Sequence, residues 1–205
     1  MGLKASAYDN CGSVKSGEIF TQRSDILYGS FRMEARVPSV PGVVFGFFTF
    51  FSDTQEQDIE FLSSDPDYYQ RLHYTNQPGQ LDNGDVDPDS QKDVEVPVAD
   101  FTTFGVHRFD WLPAATTYSY DGTSDGGNSV KSSTTVTKNV PTTPSSSSTS
   151  GAMAIPTGQF SRGPPTADAV ATLKYVNLYF NSTTLSAAPF GSQCSAAGNI
   201  APCNV

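Results

Sequence analysis

The sequence is short of charge. Asp, Glu, Lys and Arg make up 16% of its 205 residues, and acids outnumber bases 21 to 12 for a formal net charge of −9. That balance argues against nucleic acid or an anionic membrane surface as partner. Histidine and cysteine are scarce. His73 and His107 stand far apart, and Cys11, Cys194 and Cys203 form no CxxC or Cys/His ligand spacing. No zinc site and no cofactor are therefore expected. Long apolar runs are absent too. Residues 43–51 are the most apolar stretch, too short to span a bilayer. Helical periodicity is hard to find. No leader pattern is read in the first residues, which fits a mature form.

Aromatic residues are plentiful at 12%, with 17 Gly and 14 Pro. Val, Thr, Phe, Tyr and Ser dominate the readable segments, an all-β composition. The length suits one domain, residues 1–205, with a sizeable core. Residues 1–15 show no strong pattern, and 18–23 read as a first strand. Residues 28–37 alternate, with Phe31, Met33, Ala35 and Val37 on one face and Arg32, Glu34 and Arg36 on the other. Pro38, Pro41 and Gly42 turn the chain into the apolar strand 43–51. Further strands are predicted at 56–62, 69–75, 93–98, 106–111, 117–121, 132–136 and 169–180. Residues 77–92 and 122–130 read as loops, and 141–150 as a low-complexity run of Thr, Pro and Ser. No internal repeat appears. Strand after strand implies two antiparallel sheets, a sandwich or jelly roll.

One stretch stands out, Glu56-Gln57-Asp58-Ile59-Glu60-Phe61. On a strand, successive side chains point to opposite faces. Glu56, Asp58 and Glu60 then line one face while Ile59 and Phe61 enter the core. An acidic solvent face is the ordinary reading, yet three adjacent carboxylates repel and gain nothing for folding. Glu56 and Glu60 lie roughly 13 Å apart along the strand at about 3.3 Å per residue. Two long side chains leaning together close that span to about the 5–5.5 Å that glycoside hydrolysis with retention requires. The shorter Asp58 between them can hydrogen-bond one glutamate and separate the two titrations. Tyr28, Phe31, Phe48, Tyr68, Tyr69, Tyr74 and Trp111 are candidate sugar platforms, although packing is the commoner fate of such residues in a sandwich. Gln70, Tyr74 and Asn76 lie about one strand beyond the acids.

These residues resemble glycoside hydrolase family 16, in its licheninase-like and fungal endo-β-glucanase branch. The matching pieces run in order over about 16–183. They are Tyr28-Gly29-Ser30-Phe31, the strand from Gly42 through Phe50, Glu56-Gln57-Asp58-Ile59-Glu60-Phe61-Leu62 and Tyr74-Thr75-Asn76. His107-Arg108-Phe109-Asp110-Trp111, Asp121-Gly122, Val140-Pro141-Thr142-Thr143-Pro144 and Ser161-Arg162-Gly163-Pro164-Pro165 follow, with the strand up to Thr183. The resemblance implies a concanavalin A-like β-jelly roll with a concave substrate cleft. It implies endo-hydrolysis of β-1,3- or mixed β-1,3/1,4-glucan with retention. Glu56 takes the place of the nucleophile, Asp58 of the assisting carboxylate and Glu60 of the general acid/base, while Gln70, Tyr74 and Asn76 fall at or beside sugar contacts. A structural calcium occurs in the family, but its ligands are not placeable here. Thr54 stands where licheninases carry tryptophan, and Leu72 where they carry asparagine. Residues 145–151 are serine and threonine where the family bears apolar residues, an asparagine and a tryptophan.

The expected protein is a secreted monomer acting on neutral β-glucan. The alternative is a carbohydrate-binding or transglycosylating protein on the same scaffold. Asn181-Ser182-Thr183 is a glycosylation sequon on Asn181. Cys194 and Cys203 are near enough in sequence to close a C-terminal loop by a disulfide, and pairing of Cys11 with either is the alternative.

Overall fold

A computed structural model describes residues 1–8, 14–63, 65–97, 99–123, 129–151, 161 and 163–184. Among these residues there are twelve strands and no helix. The strands are β1 (Gly2–Ala5), β2 (Gly17–Phe20), β3 (Ile26–Arg36), β4 (Val44–Ser52), β5 (Gln55–Leu62) and β6 (Arg71–Asn76). They continue with β7 (Gln91–Glu95), β8 (Gly105–Leu112), β9 (Ala115–Thr123), β10 (Ser129–Val136), β11 (Ser146–Gly151) and β12 (Ala169–Ser182). They form two antiparallel six-stranded sheets, β1-β12-β3-β8-β9-β10 and β2-β11-β4-β5-β6-β7.

Alternation decides which side chains fill the space between the sheets. From the first sheet come Phe31, Met33, Phe109, Trp111, Tyr118 and Tyr120, and from the second Phe45, Phe47, Ile59, Phe61, Leu72 and Tyr74, all buried. Rings meet across the gap: Phe47 lies 5.3 Å from Phe109, and Tyr74 stacks on Tyr118 at 4.7 Å. Each such ring buries a large apolar area, the main favourable term in this fold. The alternation predicted for residues 28–37 holds in β3, whose inward residues Phe31, Met33 and Ala35 are fully buried.

Two strands escaped the sequence reading. β1 is short and edges its sheet beside β12, where pairing from Gly2↔Thr172 to Ala5↔Ala169 defines it rather than any pattern of its own. β11 falls in the low-complexity run. It is a central strand, paired with β2 on one side and β4 on the other. Serine is a poor strand former by propensity, but two complete neighbours override that preference. The small side chains turn back on the sheet. Ser146 and Ser147 donate to the carbonyls of Phe50 and Phe48, and Ser148 to the Glu18 carboxylate on β2. The segment before β11 is tied down as well: Trp111 Nε1 donates to the Pro141 carbonyl at 2.9 Å.

Candidate active site

β5 owes its orientation to an inward glutamine. Gln57 is fully buried. Its Oε1 accepts from Thr49 Oγ1 of β4 at 3.1 Å, and its Nε2 donates to Thr116 Oγ1 of β9 in the opposite sheet. A one-residue slip of β5 would send the amide outward and the acids into the core. With Gln57, Ile59 and Phe61 inward, Glu56, Asp58 and Glu60 share the outer face of the second sheet.

The three carboxyls have different surroundings. Asp58 is buried at 3% exposure, while Glu56 and Glu60 are half-buried. Burial raises the Asp58 pKa well above the usual range, and repulsion from Glu60 and Glu56 adds to it, whereas a hydrogen bond from Gln77 Nε2 at 2.9 Å pulls it down. Burial also raises Glu56. A hydrogen bond between the two carboxyls ties Glu56 to Asp58, the more deeply buried of the pair. Glu60 is pushed up to about 7 by burial, against the pull of His73 and with a push from Glu56. The row therefore holds two coupled acids, both raised and the middle one the more deeply buried, and an outer acid pushed up to about 7.

Register identifies what shares this face. On β4, Phe50 pairs with Glu56, Phe48 with Asp58 and Gly46 with Glu60, so β4 sets no side chain opposite Glu60. On β11 and β2 the same rows continue through Ser146 and Ser148 to Phe20. Phe20 is 65% exposed and Phe50 39%. On β6, Thr75 pairs with Asp58 and His73 with Glu60. His73 is bracketed by two carboxylates, with Nδ1 2.8 Å from Asp93 and Nε2 2.7 Å from Asp65. One side of the acid row is thus aromatic and hydroxylated, and the other charged.

The same register corrects the expected sugar contacts. Tyr74 pairs with Ile59 and Asn76 with Gln57, on the core face. Tyr74 is fully buried against Tyr118; Asn76 is fully buried too, donating to the Lys138 carbonyl at 3.0 Å and accepting from Tyr118 Oη at 2.8 Å. Neither reaches a ligand beside the acids. Leu72 is also inward and fully buried, so the family's asparagine has no counterpart in the cleft at that position. Gln70 lies in the turn before β6, its N–H on the Asp67 carbonyl at 2.7 Å. Of the other aromatic candidates, Phe31 and Trp111 are core, and Phe48 faces the acids' side. Thr54 lies in the exposed turn before β5, with no ring to offer.

His73, Phe20 and Phe50 were not singled out as site residues in the sequence, and Gln77 only as the end of the stretch Tyr74-Thr75-Asn76-Gln77 one strand after the acids. Counting parity back from Glu60 would have flagged Phe50 on an adjacent hairpin strand, but the others depend on pairing or loop path. Among the described residues no group of three His, Cys, Asp or Glu side chains is placed to hold a metal ion. Asn181 is exposed at the end of β12. Cys11, Cys194 and Cys203 lie outside the described residues. No described helix is long and apolar enough to cross a membrane.

Comparison with known proteins adds to this geometry. The sequence model for glycosyl hydrolases family 16 matches residues 2–165. No curated protein matches the chain. Solved structures share the fold. A β-1,3-1,4-glucanase (lichenase) derived from a mouse hindgut metagenome is 18% identical with a TM-score of 0.61, over 87% of this chain and 78% of that one. The Bacillus licheniformis β-glucanase is 20% identical with a TM-score of 0.63, over 88% and 78%. The laminarinase catalytic domain from Thermotoga maritima is 16% identical with a TM-score of 0.63, over 89% and 78%.

Proposed function

The chain belongs to glycosyl hydrolase family 16, and from that premise we propose that it is an endo-hydrolase of β-1,3- or mixed β-1,3/1,4-glucan that retains anomeric configuration. The observation that carries this reading is the acid row on β5, whose members differ in proton affinity along one open face. Glu56, accepting from Asp58, is the nucleophile. It attacks the anomeric carbon while Glu60 gives its proton to the departing glycosidic oxygen. A glycosyl ester on Glu56 results. Glu60, now ionised, takes a proton from water as that water attacks the same carbon and Glu56 leaves. Protonation near pH 7 suits a group that must be acid in one step and base in the next. Asp58 donates to Glu56 in the free enzyme and, as the ester forms, keeps its own proton. The exposed rings of Phe20 and Phe50 and the hydroxyls of β11 suit the apolar faces and hydroxyl rims of a neutral glucan, as does the net charge of −9.

A lichenase, a β-glucanase and a laminarinase share this fold, which supports the substrate class. Secretion as a monomer, with a glycan on the exposed Asn181, belongs to the same proposal; the acidic surface and the position of that side chain support it. The test is release of reducing ends from lichenan, barley glucan and laminarin, with the anomer of the first product read by proton NMR. Glu56→Gln and Glu60→Gln are each expected to lose at least a thousandfold in kcat while remaining folded. Hydrolysis by Glu56→Gln at the wild-type rate would remove the nucleophile assignment, and inverted products would remove the mechanism.

A further inference from the structure

On the hydrolase reading above, we propose that Gln77 is a positioning residue: it fixes which oxygen of Asp58 carries the proton offered to Glu56. Gln77 follows β6 directly. Its backbone N–H donates to the Glu56 carbonyl at 3.0 Å, which sets the residue beside the acid row. Both ends of its side-chain amide are committed. Oε1 accepts from the Gly79 N–H at 2.9 Å. A backbone N–H only donates, so the oxygen must lie there and the NH2 end must face Asp58, donating to Oδ2 at 2.9 Å. An oxygen that accepts from an amide is the carbonyl oxygen of a carboxylic acid. With Oδ2 held by the amide, Oδ1 is the oxygen left to carry the proton offered to Glu56.

The loop that carries the amide is pinned. The Pro78 carbonyl accepts from Ser90 Oγ at 2.9 Å and Asn139 Nδ2 at 2.8 Å, and the Gly79 carbonyl accepts from the Asp87 N–H at 2.9 Å. Lys138 pairs with Asp87 at 2.6 Å, tying the loop to the segment after β10. Position 79 has no room for a side chain: a Cβ would stand 2.7 Å from Thr75 Cγ2 and 3.0 Å from Gln91 Oε1. Gly79 thus keeps its N–H at Gln77 Oε1, and Gln77 keeps its side-chain NH2 at Asp58. Around Asp58 the remaining groups are Glu56 and Glu60 on its own strand, Phe48 from β4, Thr75 from β6 and Tyr118 from β9. His73 lies beyond Glu60 and Asp53 beyond Glu56. Gln77 is the neutral side-chain donor that breaks the symmetry of the Asp58 carboxyl. Without it the acid can rotate toward Glu60, and Glu56 loses its donor.

Gln77→Met keeps the length of the side chain and removes the donor. A hydrogen bond to a charged pair of this kind changes a pKa by about one unit and a rate by roughly tenfold. The acid limb of the kcat/KM profile should rise by about one pH unit, kcat should fall roughly tenfold and KM should change little. The alkaline limb, governed by Glu60, should stay in place. A purely structural role would instead scale the whole profile down without moving either limb. Gln77→Glu, with the same shape but a charge in place of the donor, should move the acid limb further in the same direction, and serves if the methionine variant folds poorly. A readout independent of turnover is the Asp58 carboxyl titration followed by carbon-13 NMR in the free protein, expected to move up in both variants. An unchanged Asp58 titration with an unmoved acid limb would overturn the proposal. Absence of hydrolysis by the wild type on every glucan would instead overturn the hydrolase reading, leaving the NMR result to decide the role of Gln77.

Discussion

His107 should make this fold lose stability in mild acid. Its ring lies between the sheets, 4.8 Å from Phe61, 4.9 Å from Tyr120 and 5.6 Å from Phe101, and it is 1% exposed. Neither ring nitrogen meets a hydrogen-bond partner among the described residues. Burial alone pushes its pKa down to about 3, against about 6.5 in an unfolded chain. The folded state therefore resists a proton that the unfolded state accepts. This stabilising contribution is complete above pH 6.5 and is lost as pH falls toward 3, at up to tenfold in the unfolding equilibrium per pH unit. Across the whole window the loss is on the order of 5 kcal/mol, comparable with the net stability of many domains. Glu56, Asp58 and Glu60 have raised pKa values and so oppose the trend, but they do so equally in any variant that spares them. His107→Phe keeps an aromatic ring and removes the titration. Urea unfolding followed by the fluorescence of Trp111, the one tryptophan, measures both proteins. Between pH 7 and pH 4 the variant should gain about 3 kcal/mol relative to wild type. Parallel stability curves for the two proteins would refute the argument.

Replacing His73 by asparagine removes the cation that pulls Glu60 down, so the alkaline limb of kcat/KM should move above its wild-type position near pH 7; a downward move would contradict the assignment. Phe20→Ala and Phe50→Ala should each raise KM for polymeric glucan about fivefold, as expected for one lost ring contact of about 1 kcal/mol, with kcat little changed in steady-state assays. Gln57→Leu leaves Thr49 and Thr116 without their shared partner and should cost about 1–3 kcal/mol in chemical denaturation, with activity falling as the acid row loses its register.

Much of the fold was legible because alternation is a local property. The strands around Phe31 and Ile59 could be read from their own residues, and the acids declared their common face. What could not be read was the phase of one strand against the next. Tyr74 and Asn76 are one residue out of step with His73 and Thr75, and only the pairing of Asp58 with Thr75 shows which set faces the acids. Gln77 and Asp65 enter the site through loops, whose paths follow from bonds to Gly79 and to His73 rather than from any periodicity. The serine strand was hidden for a third reason: its conformation is imposed by β2 and β4, and its own side chains express no preference for it.

The position of β11 also divides the site by order of synthesis. Strands β4 to β7 follow one another along the chain, each beside the last, so the acids and the charged wall arise from contacts of short sequence separation. β2, which carries Phe20, is made before them, yet its place in the sheet is beside β11, and Phe20 meets Ser148, 128 positions further along the chain. Closing so long a loop is entropically costly and slow compared with forming a meander. A nascent chain that has passed residue 95 already owns its acid row; the Phe20 half of the wall beside it waits on six small residues that arrive some fifty positions later.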